Sequence, residues 1–570
     1  MTPPARSVLA PTRTLWNLIL AAVVLRLLLL GYWSLWLDEG ATWAAASAPT
    51  WRDTLFAESN HPPLWWLLTR GWISLFGASE AALRAPAAIL DLAAVGLAWL
   101  LGLRVLVPEL APRRGGFSQV ADGGEGRRVA VWFAGIVAVA AFYLEYAQEA
   151  RMYPALLAES LGLSLLYLRW LDRNDRLSLV LYAMVGTLGL YTHYFAVWPL
   201  VAHAAHALWL ARRTRGQPDA VRVRAGPFLV AVAAAGLLFV PWFLYCATHY
   251  AGLAKLVMNP FVVLLHAVWR MGVGPALVVQ DGLRVDAGAA AVFAEEWPVI
   301  LVTALLWLGP LVLGFLALRR RPGLRSFALA NLLVPVVLLL GLYAWFPLIQ
   351  ERYLVFLSPW IFLLVVLGAA TANRALRPIL LGGVVLVIGA GAALYTAASG
   401  APVAVGPFRT IDEQEVPARF VLDPDSPIVQ LGHGHAYARE PWRDVYDFVQ
   451  QFARPGDVVA LHPWYVHTAW DYYAARGEEV EGNVALDTVH LPRLEESPEE
   501  ITRRFGERLG SARRVFLVMS RHETTDRDHY YPLLRDLLVR LWGVSRRITV
   551  VPPIEFQISW GIRVAVFTRS

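Results

Sequence analysis

The sequence predicts a polytopic α-helical membrane protein with about eleven transmembrane helices and a C-terminal extracytoplasmic α/β domain. Hydrophobic residues make up 57% of the 570-residue chain, charged residues only 16%, and the mean hydropathy is +0.48. Soluble chains of this length carry more charge and fewer apolar residues. The apolar residues also fall into long runs, and the arginines fall between these runs. Together these three observations predict many membrane crossings.

About eleven apolar runs reach the ~20 residues that a helix needs to cross a bilayer. They cover residues 14–35, 82–106, 129–146, 153–170, 177–192, 194–211, 226–247, 297–318, 326–346, 353–371 and 378–397. Segment 177–211 has little length to spare for two crossings, so the string YTHY within it is the predicted turn. Segment 252–280 is apolar too, but we interpret it as a re-entrant or interfacial piece that Pro260 breaks.

The arginines between the runs predict the orientation of the chain. Arginine-rich breaks occur at residues 6–13, 104–128, 169–176, 212–224, 319–325 and 374–377. The positive-inside rule places these breaks in the cytoplasm, with the protein in the plasma (inner) membrane and its N-terminus inside. The net charge of +6 therefore reports topology and does not indicate nucleic-acid binding. With the N-terminus inside and an odd number of spans, the residues after the last span lie outside. We therefore divide the chain into a transmembrane domain, 1–398, and a soluble extracytoplasmic domain, 399–570.

The composition of the C-terminal tail is that of a small soluble α/β domain. The string PWRDVYDFVQQFARPGDVVALH predicts an amphipathic helix, a Pro-Gly turn and a buried strand. ARRVFLVMS and ITVVPPIEFQISW predict further strands, and YYPLLRDLLVRLW predicts a helix. The tail histidines have no standard metal-ligand spacing, so we interpret them as surface or packing residues: His433, His435, His462 and His467. The single cysteine, Cys246, excludes an internal disulfide.

Charged and aromatic side chains recur in the outer loops, next to the ends of the spans. They are Asp38, Glu39 and His61 in the first loop, Glu149, Arg151 and Tyr153 in the second, His193 in the YTHY turn, and Glu351, Arg352 and Tyr353 in the last. Carboxylates serve as general bases or bind divalent cations, and arginines grip phosphate in a bidentate fashion. A site on a phosphate-bearing substrate at the outer lipid surface is the simplest interpretation.

Each of these residues also has a simpler explanation. Asp38 and Glu39 could cap a helix, and a lone arginine at a span end more often reaches toward lipid headgroups. Arg26 and Asp91 lie inside apparent spans, and we interpret them as a buried structural pair rather than as part of the site. The joint occurrence of the outer-loop motifs in one order favours the functional interpretation.

Five strings carry a resemblance to a known family: WLDEGATW, SNHPPLWWLLTRGWISLFGASEAALRAPAAI, EYAQEARMYPALLA, LGLYTHYFAV and QERYLVFLSPW. In this order and topology they resemble the membrane-embedded glycosyltransferases of the C superfamily. The bacterial relatives of protein mannosyltransferases and of lipid A aminoarabinose transferases are the most similar branch. The resemblance implies an inverting transfer of a sugar from a polyprenyl-phosphate donor to an acceptor hydroxyl outside the cytoplasm. The acceptor would be a glycan, lipid or protein of the cell envelope.

The resemblance also implies roles for individual residues. Asp38 would take the proton from the acceptor, and Glu39 would support it or bind the acceptor. Arg151, Arg352 and His61 would hold the donor phosphate, with Arg352 the principal contact. Supporting positions would be Glu149, Tyr153, His193, Glu351 and Tyr353. The family implies no organic cofactor. A divalent cation, Mg or Mn, would be held by Asp38 and Glu149.

Two other classes of protein remain open from the sequence. A transporter or flippase of a lipid-linked sugar would also have many spans and charged residues within them. It would more often show inverted repeats and helices broken at the bilayer midplane, whereas the polar residues here gather at one surface. A membrane scaffold with an outer domain would leave Asp38 dispensable.

Overall fold

The computed structural model describes most of the membrane part and the framework of the C-terminal part of the chain. The described residues are 13–28, 30–112, 114–117, 123–218, 221–249, 259–274, 289–343, 350–399, 410–411, 414–415, 442–462, 466–477, 482–491, 498–520, 537–538, 540, 549–555 and 562–568. His433, His435 and most of the helix predicted from YYPLLRDLLVRLW lie outside them.

Helices dominate the chain up to residue 399. They are α1 Arg13–Leu27, α2 Leu37–Ala46, α3 Trp51–Leu55, α4 Leu64–Phe76, α5 Glu80–Leu106, α6 Gly123–Val139, α7 Ala141–Ala147, α8 Tyr153–Arg173, α9 Arg176–Thr192, α10 Val197–Arg213, α11 Ala225–His249, α12 Pro260–Val273, α13 Ala289–Ala317, α14 Pro322–Leu342, α15 Ser358–Thr371 and α16 Leu376–Ser399. Short 3₁₀ turns precede α10, α14 and α15, at Tyr194–Ala196, Leu318–Arg320 and Glu351–Leu357.

Each apolar run that was predicted to cross the membrane overlaps at least one of these helices. Among the described residues, seven helices are long and apolar enough to span a bilayer, or eight if α6 and α7, which meet at 50°, form one span. The exposed side chains of these helices include many large hydrophobic residues, which fits contact with lipid rather than water. The chain is thus a multi-pass membrane protein.

Two local predictions met different outcomes. The predicted turn at YTHY is confirmed, since α9 ends at Thr192 and α10 follows a single 3₁₀ turn. Pro260 was predicted to break its segment, but it is the first residue of α12. Proline suits this position because its missing N–H would have no partner in the first helical turn. With 14 residues, α12 is about 21 Å long, less than the ~30 Å of a hydrocarbon core.

A buried ion pair joins the first helices of the membrane part. The Nε of Arg26 lies 2.6 Å from Oδ2 of Asp91, and both side chains are almost completely buried. The same guanidinium donates to the carbonyl oxygens of Val137 and Ala138, where α6 bends into α7. This geometry supports the interpretation of Arg26 and Asp91 as a structural pair, because the guanidinium is fully engaged by α1, α5 and the bend.

The C-terminal part contains a five-stranded mixed sheet with helices. Its elements are a two-stranded ladder of β1 Thr410–Ile411 and β2 Gln414–Glu415, then α17 Trp442–Phe452, β3 Val458–His462, α18 His467–Gly477, β4 Asp487–His490, α19 Pro498–Ser511, β5 Arg514–Ser520, β6 Thr549–Glu555 and β7 Ile562–Thr568. The sheet order is β4-β3-β5-β7-β6, with the first three strands parallel and the last two pairings antiparallel. The helix, Pro-Gly turn and strand predicted from residue 441 onward are confirmed by α17 and β3.

The C-terminal part rests directly on helix α2. The hydroxyl of Thr468 in α18 donates to the carbonyl oxygen of Leu37 at 3.3 Å. Gly40 lies under the same helix, and a Cβ there would come within 2.6 Å of the backbone nitrogen of Ala469. A side chain at position 40 would push the two helices apart, so glycine allows their close approach. The backbone N–H of Leu35 also donates to the Tyr473 hydroxyl, at 2.7 Å.

Candidate active site

Helix α2 presents its two acidic residues in different directions. It begins after Trp36, whose extended backbone donates its N–H to Oε2 of Glu39 at 3.4 Å, closing the first turn. The side chains of successive helical residues point about 100° apart, so two adjacent acids face different parts of the protein. Asp38 remains partly exposed, whereas Glu39 is completely buried.

The carboxylate of Asp38 meets arginines from two separate outer segments. Its Oδ2 accepts from Nη1 of Arg352 at 2.8 Å and lies 3.8 Å from Nε of Arg151. Arg151 also donates through Nη1 to the backbone carbonyl of Asp38 at 3.2 Å. The three side chains that the sequence places far apart therefore form one charged cluster. The carboxylate can accept a proton, and the two guanidinium groups beside it can hold an anion.

Aromatic rings surround the guanidinium of Arg352. Its central carbon lies 5.7 Å from the ring centroids of Trp36 and Tyr353, and 5.9 Å from that of Tyr153. Its Nε donates to the amide oxygen of Gln350 at 2.8 Å. The rings hold the charged plane in place without taking its remaining hydrogen-bond donors.

Arg151 is almost completely buried and is linked to the first outer loop. Its Nη2 lies 3.5 Å from Nε2 of His61, whose Nδ1 lies 2.7 Å from a carboxylate oxygen of Glu58. Burial is the largest single effect on the pKa of Arg151 and lowers it, but Asp38, Tyr153 and Glu58 together raise that pKa by more, so the guanidinium stays charged. Burial raises the pKa of Glu58, but the His61 ring and Arg151 outweigh this effect and leave that pKa lowered. His61 thus joins the arginine to a second carboxylate.

His193 forms the turn between α9 and α10 and contributes to the aromatic wall. Its ring centroid lies 5.2 Å from that of Tyr353 and 6.0 Å from that of Tyr153. Its Nδ1 accepts from the backbone N–H of Phe195 at 3.1 Å. Burial, together with the neighbouring His61, Arg151 and Arg352, holds the pKa of His193 well below its usual range. The ring is therefore a neutral packing and capping group.

Glu39 lies in the protein interior, away from Asp38. Its two carboxylate oxygens accept from Nε and Nη2 of Arg84, both at 2.7 Å. The backbone N–H of Ala150 donates to the same carboxylate at 2.8 Å. Neither side chain of the pair is exposed, so Glu39 has no surface on which to meet an acceptor. It connects α2 to α5 and to the segment that carries Arg151.

Of the remaining two acids of the predicted site, Glu351 points elsewhere, whereas the buried Glu149 is close enough for its charge to act on Arg352. Glu149 is buried, and its backbone carbonyl accepts from the N–H of Arg151 at 2.7 Å in a tight turn. Glu351 turns toward α12, where Nη1 of Arg270 lies 2.6 Å from its Oε2 and the ring of His266 contacts its other oxygen. Arg270, His266 and Arg84 were not among the site residues predicted from the sequence. A charged residue inside an apolar segment is the signal that could have revealed Arg84 and Arg270.

Comparison with known proteins gives structural relatives only. No protein-family model matches the chain, and no curated protein matches it in sequence. ArnT from Cupriavidus metallidurans in the apo state is 13% identical, with a TM-score of 0.48 over 97% of both chains. The same protein bound to undecaprenyl phosphate is 14% identical, with a TM-score of 0.47 over 97% of this chain and 98% of that one.

A third structure is the Archaeoglobus fulgidus oligosaccharyltransferase in complex with Zn and sulfate. It is 12% identical, with a TM-score of 0.42 over 98% of this chain and 73% of that one. At TM-scores below 0.5 the likeness does not decide what this chain does; the residues of the site must.

The lowered pKa of His193 predicts how stability depends on pH. Between the folded pKa and the unfolded value of about 6.5, only the unfolded chain binds a proton, so stability is lost as the pH falls below about 6.5. In His193→Asn the shorter side chain keeps an oxygen for the Phe195 N–H but cannot titrate. We expect the melting temperature of this variant in detergent to fall less between pH 7.5 and 5.5 than that of the parent protein.

The control is His249→Asn, which removes an exposed histidine at the end of α11. It should leave the pH dependence of the melting temperature as it is in the parent. Equal slopes for the parent and His193→Asn would show that His193 does not carry this dependence.

Proposed function

We propose that this chain is an inverting glycosyltransferase that moves a sugar from a polyprenyl-phosphate donor to an acceptor hydroxyl on the extracytoplasmic side of the membrane. The acceptor belongs to a glycan, lipid or protein of the cell envelope. One observation carries this proposal: the Asp38 carboxylate lies 2.8 Å from a nitrogen of Arg352 and 3.8 Å from one of Arg151. A base and two phosphate-binding groups therefore meet at the outer ends of the spans.

The residues fit the requirements of a single displacement. Inversion needs one base and a stabilised leaving group, without a protein nucleophile. Asp38 takes the proton of the acceptor hydroxyl while the acceptor oxygen bonds to the anomeric carbon from the side opposite the phosphate. The bond from that carbon to the phosphate oxygen breaks, and its electron pair leaves with the polyprenyl phosphate. Arg352 and Arg151 stabilise the charge that develops on this leaving group.

Donor binding and base activation are coupled in this arrangement. The phosphate of the donor competes with Asp38 for the same guanidinium donors, since both are anions. When Arg352 turns from the carboxylate to the phosphate, Asp38 loses a positive neighbour and becomes a better proton acceptor. The basicity of Asp38 therefore rises only once a donor is bound.

A divalent cation at Asp38 and Glu149 finds less support than the arginines do. Among the described residues, these two acids do not belong to a group of three or more potential ligands whose atoms come within 4.8 Å of one another. The positive charge next to Asp38 comes instead from two guanidinium groups. A cation here would have to be held by few protein ligands and by the donor phosphate itself, as Mg²⁺ often is. In the proposed transfer, the base and the groups that stabilise the leaving phosphate are all side chains of this chain.

The supporting residues take positioning roles in the proposal. Glu39 fixes the direction of α2 through Arg84. Glu351 binds Arg270 of α12 and thereby positions the next residue, Arg352. His61 and Glu58 hold Arg151 from the first loop, and Tyr153, Tyr353 and His193 form the wall beside Arg352. A flippase would not need a proton acceptor beside its phosphate site, so the Asp38 cluster favours transfer over transport.

We extend the proposal to the topology of the chain: eleven spans, the N-terminus in the cytoplasm, and a domain over 399–570 on the same outer side as the site. The contact of α18 with α2, one residue from Asp38, supports a shared side. Single cysteines introduced in a Cys246→Ala background test it. In intact spheroplasts an impermeant maleimide should label Ser511→Cys, and should label Gln217→Cys only after permeabilisation. The reverse pattern would invert the topology.

Asp38→Asn should abolish sugar transfer while the protein still folds and binds its donor. Asparagine keeps the shape and one acceptor for Arg352 but cannot take a proton, and loss of a general base costs about 10²–10⁴-fold in rate. Transfer is measured in membranes supplied with labelled polyprenyl-phosphate sugar, and folding by thermal unfolding of the purified protein.

Asp53→Asn is the matched control, since Asp53 is an exposed acid of the same outer loop that only caps α3. It should keep the transfer rate of the parent. Full activity of Asp38→Asn would remove Asp38 from the role of base.

Arg352→Ala should mainly weaken donor binding. The loss of a charge-assisted hydrogen bond of about 1.5–3 kcal/mol corresponds to a rise of about 10- to 150-fold in the apparent donor KM. Arg352→Lys should recover part of this affinity, because it restores the charge but not the planar fork. Arg52→Ala, which removes an exposed arginine of the first outer loop, serves as the control. An unchanged donor affinity in Arg352→Ala would assign the phosphate to another residue.

A further inference from the structure

A second group of metal-type ligands lies in the C-terminal part, apart from the candidate active site. His490 is the last residue of β4, and His467 is the first residue of α18, which follows the parallel neighbour strand β3. Both therefore lie at the carboxyl ends of parallel strands. In α/β sheets this edge is where ligands bind, because the loops there open outward around the strand ends.

Three ligand atoms converge at this edge. His467 and Asp471 are one helical turn apart, and Nδ1 of His467 lies 2.7 Å from Oδ2 of Asp471. The Nε2 of His490 approaches the other oxygen of the same carboxylate at 3.8 Å. Each residue offers one ligand atom within 4.8 Å of the other two, and among the described residues this is the one group of three that does so.

These distances are close to what a metal requires. With bonds of about 2.0–2.1 Å, two ligands of a tetrahedral zinc ion lie ~3.3 Å apart. The two observed distances, 2.7 and 3.8 Å, lie on either side of this value. The His467 and His490 rings now face each other with 4.5 Å between their centroids and 22° between their planes. They must open to share an ion, which is a rotation about the soft χ2 bond.

The surroundings allow an ion to enter and to stay. All three side chains are partly exposed, so water can exchange and can complete the coordination. The nearby cation Arg508 is neutralised, since its Nε lies 2.7 Å from Oδ2 of Asp487. Two imidazoles and one carboxylate form a set that suits Zn²⁺, Co²⁺ or Ni²⁺ better than Mg²⁺ or Ca²⁺, which prefer oxygen.

We infer that His467, Asp471 and His490 form a binding site for a divalent transition-metal ion of the zinc type. The ion joins the start of α18 to the end of β4. Because α18 packs on α2 through Thr468 and the close approach at Gly40, the bound metal also stiffens the support beneath the helix of Asp38. The site is a structural clamp, separate from sugar transfer.

The test uses the full-length protein in detergent, stripped with a chelator and dialysed against Zn²⁺ or Co²⁺ alone. The parent should retain about one Zn²⁺ per chain by elemental analysis, and the metal should raise its melting temperature. Bound Co²⁺ should show the intense visible absorption of a site with four or five ligands. A parent protein that retains no Zn²⁺ and gives only the weak spectrum of aqueous Co²⁺ would overturn the inference.

Variants assign the ion to its ligands. His490→Ala and Asp471→Asn should each weaken Zn²⁺ binding about tenfold or more and remove the thermal shift. His249→Ala, which removes an exposed histidine of the membrane part, should bind as the parent does. Zn²⁺ binding that survives both ligand substitutions would place the ion elsewhere. Metal content and melting temperature are measured without a sugar substrate, so the result is independent of the proposed transferase activity.

Discussion

The buried pair of Glu39 and Arg84 is the constraint on which the arrangement of the site depends. Both side chains are fully buried, and the guanidinium also donates to three carbonyl oxygens in the segment that leads into α2. A buried carboxylate is stable only while it is paired, and removal of one partner typically costs about 3–5 kcal/mol. Because Glu39 also accepts from the N–H of Ala150, the pair joins the start of α2 to α5 and to the turn that carries Arg151. Asp38, one residue earlier, is thereby held toward the two arginines.

The two adjacent acids, Glu39 and Asp38, differ in burial and in their partners. Glu39 is removed from water and pairs with Arg84, whereas Asp38 stays partly exposed beside Arg352. A carboxylate with two arginine neighbours is a weak base at rest, and the same arginines are the groups that a phosphate attracts most strongly. In the resting cluster the carboxylate therefore occupies a place among the guanidinium groups that a phosphate anion would compete for.

Helix α2 also connects the membrane part with the C-terminal part. One side of it faces Arg151 and Arg352, and another lies under α18, where Gly40 lets the backbones approach. Arg443 adds a further contact, with its guanidinium on Glu80 at 2.7 Å, next to the beginning of α5. The C-terminal part therefore packs directly against the helix that carries Asp38. An ion held between His467 and His490 would act on this same connection.

Hydropathy and arginine spacing were enough to predict the long apolar helices, the YTHY turn, and the gathering of Asp38, Arg151 and Arg352 on one side, because each of these depends on local sequence and on the bilayer. The pairings were not predictable in this way. Asp38 and Arg352 are 314 residues apart, and nothing near either residue states that they meet. Only packing separated Glu39 from Asp38, turned Glu351 toward α12, and brought His490 to His467. In each case the deciding contribution is the burial of a charge, which depends on surfaces supplied by distant parts of the chain.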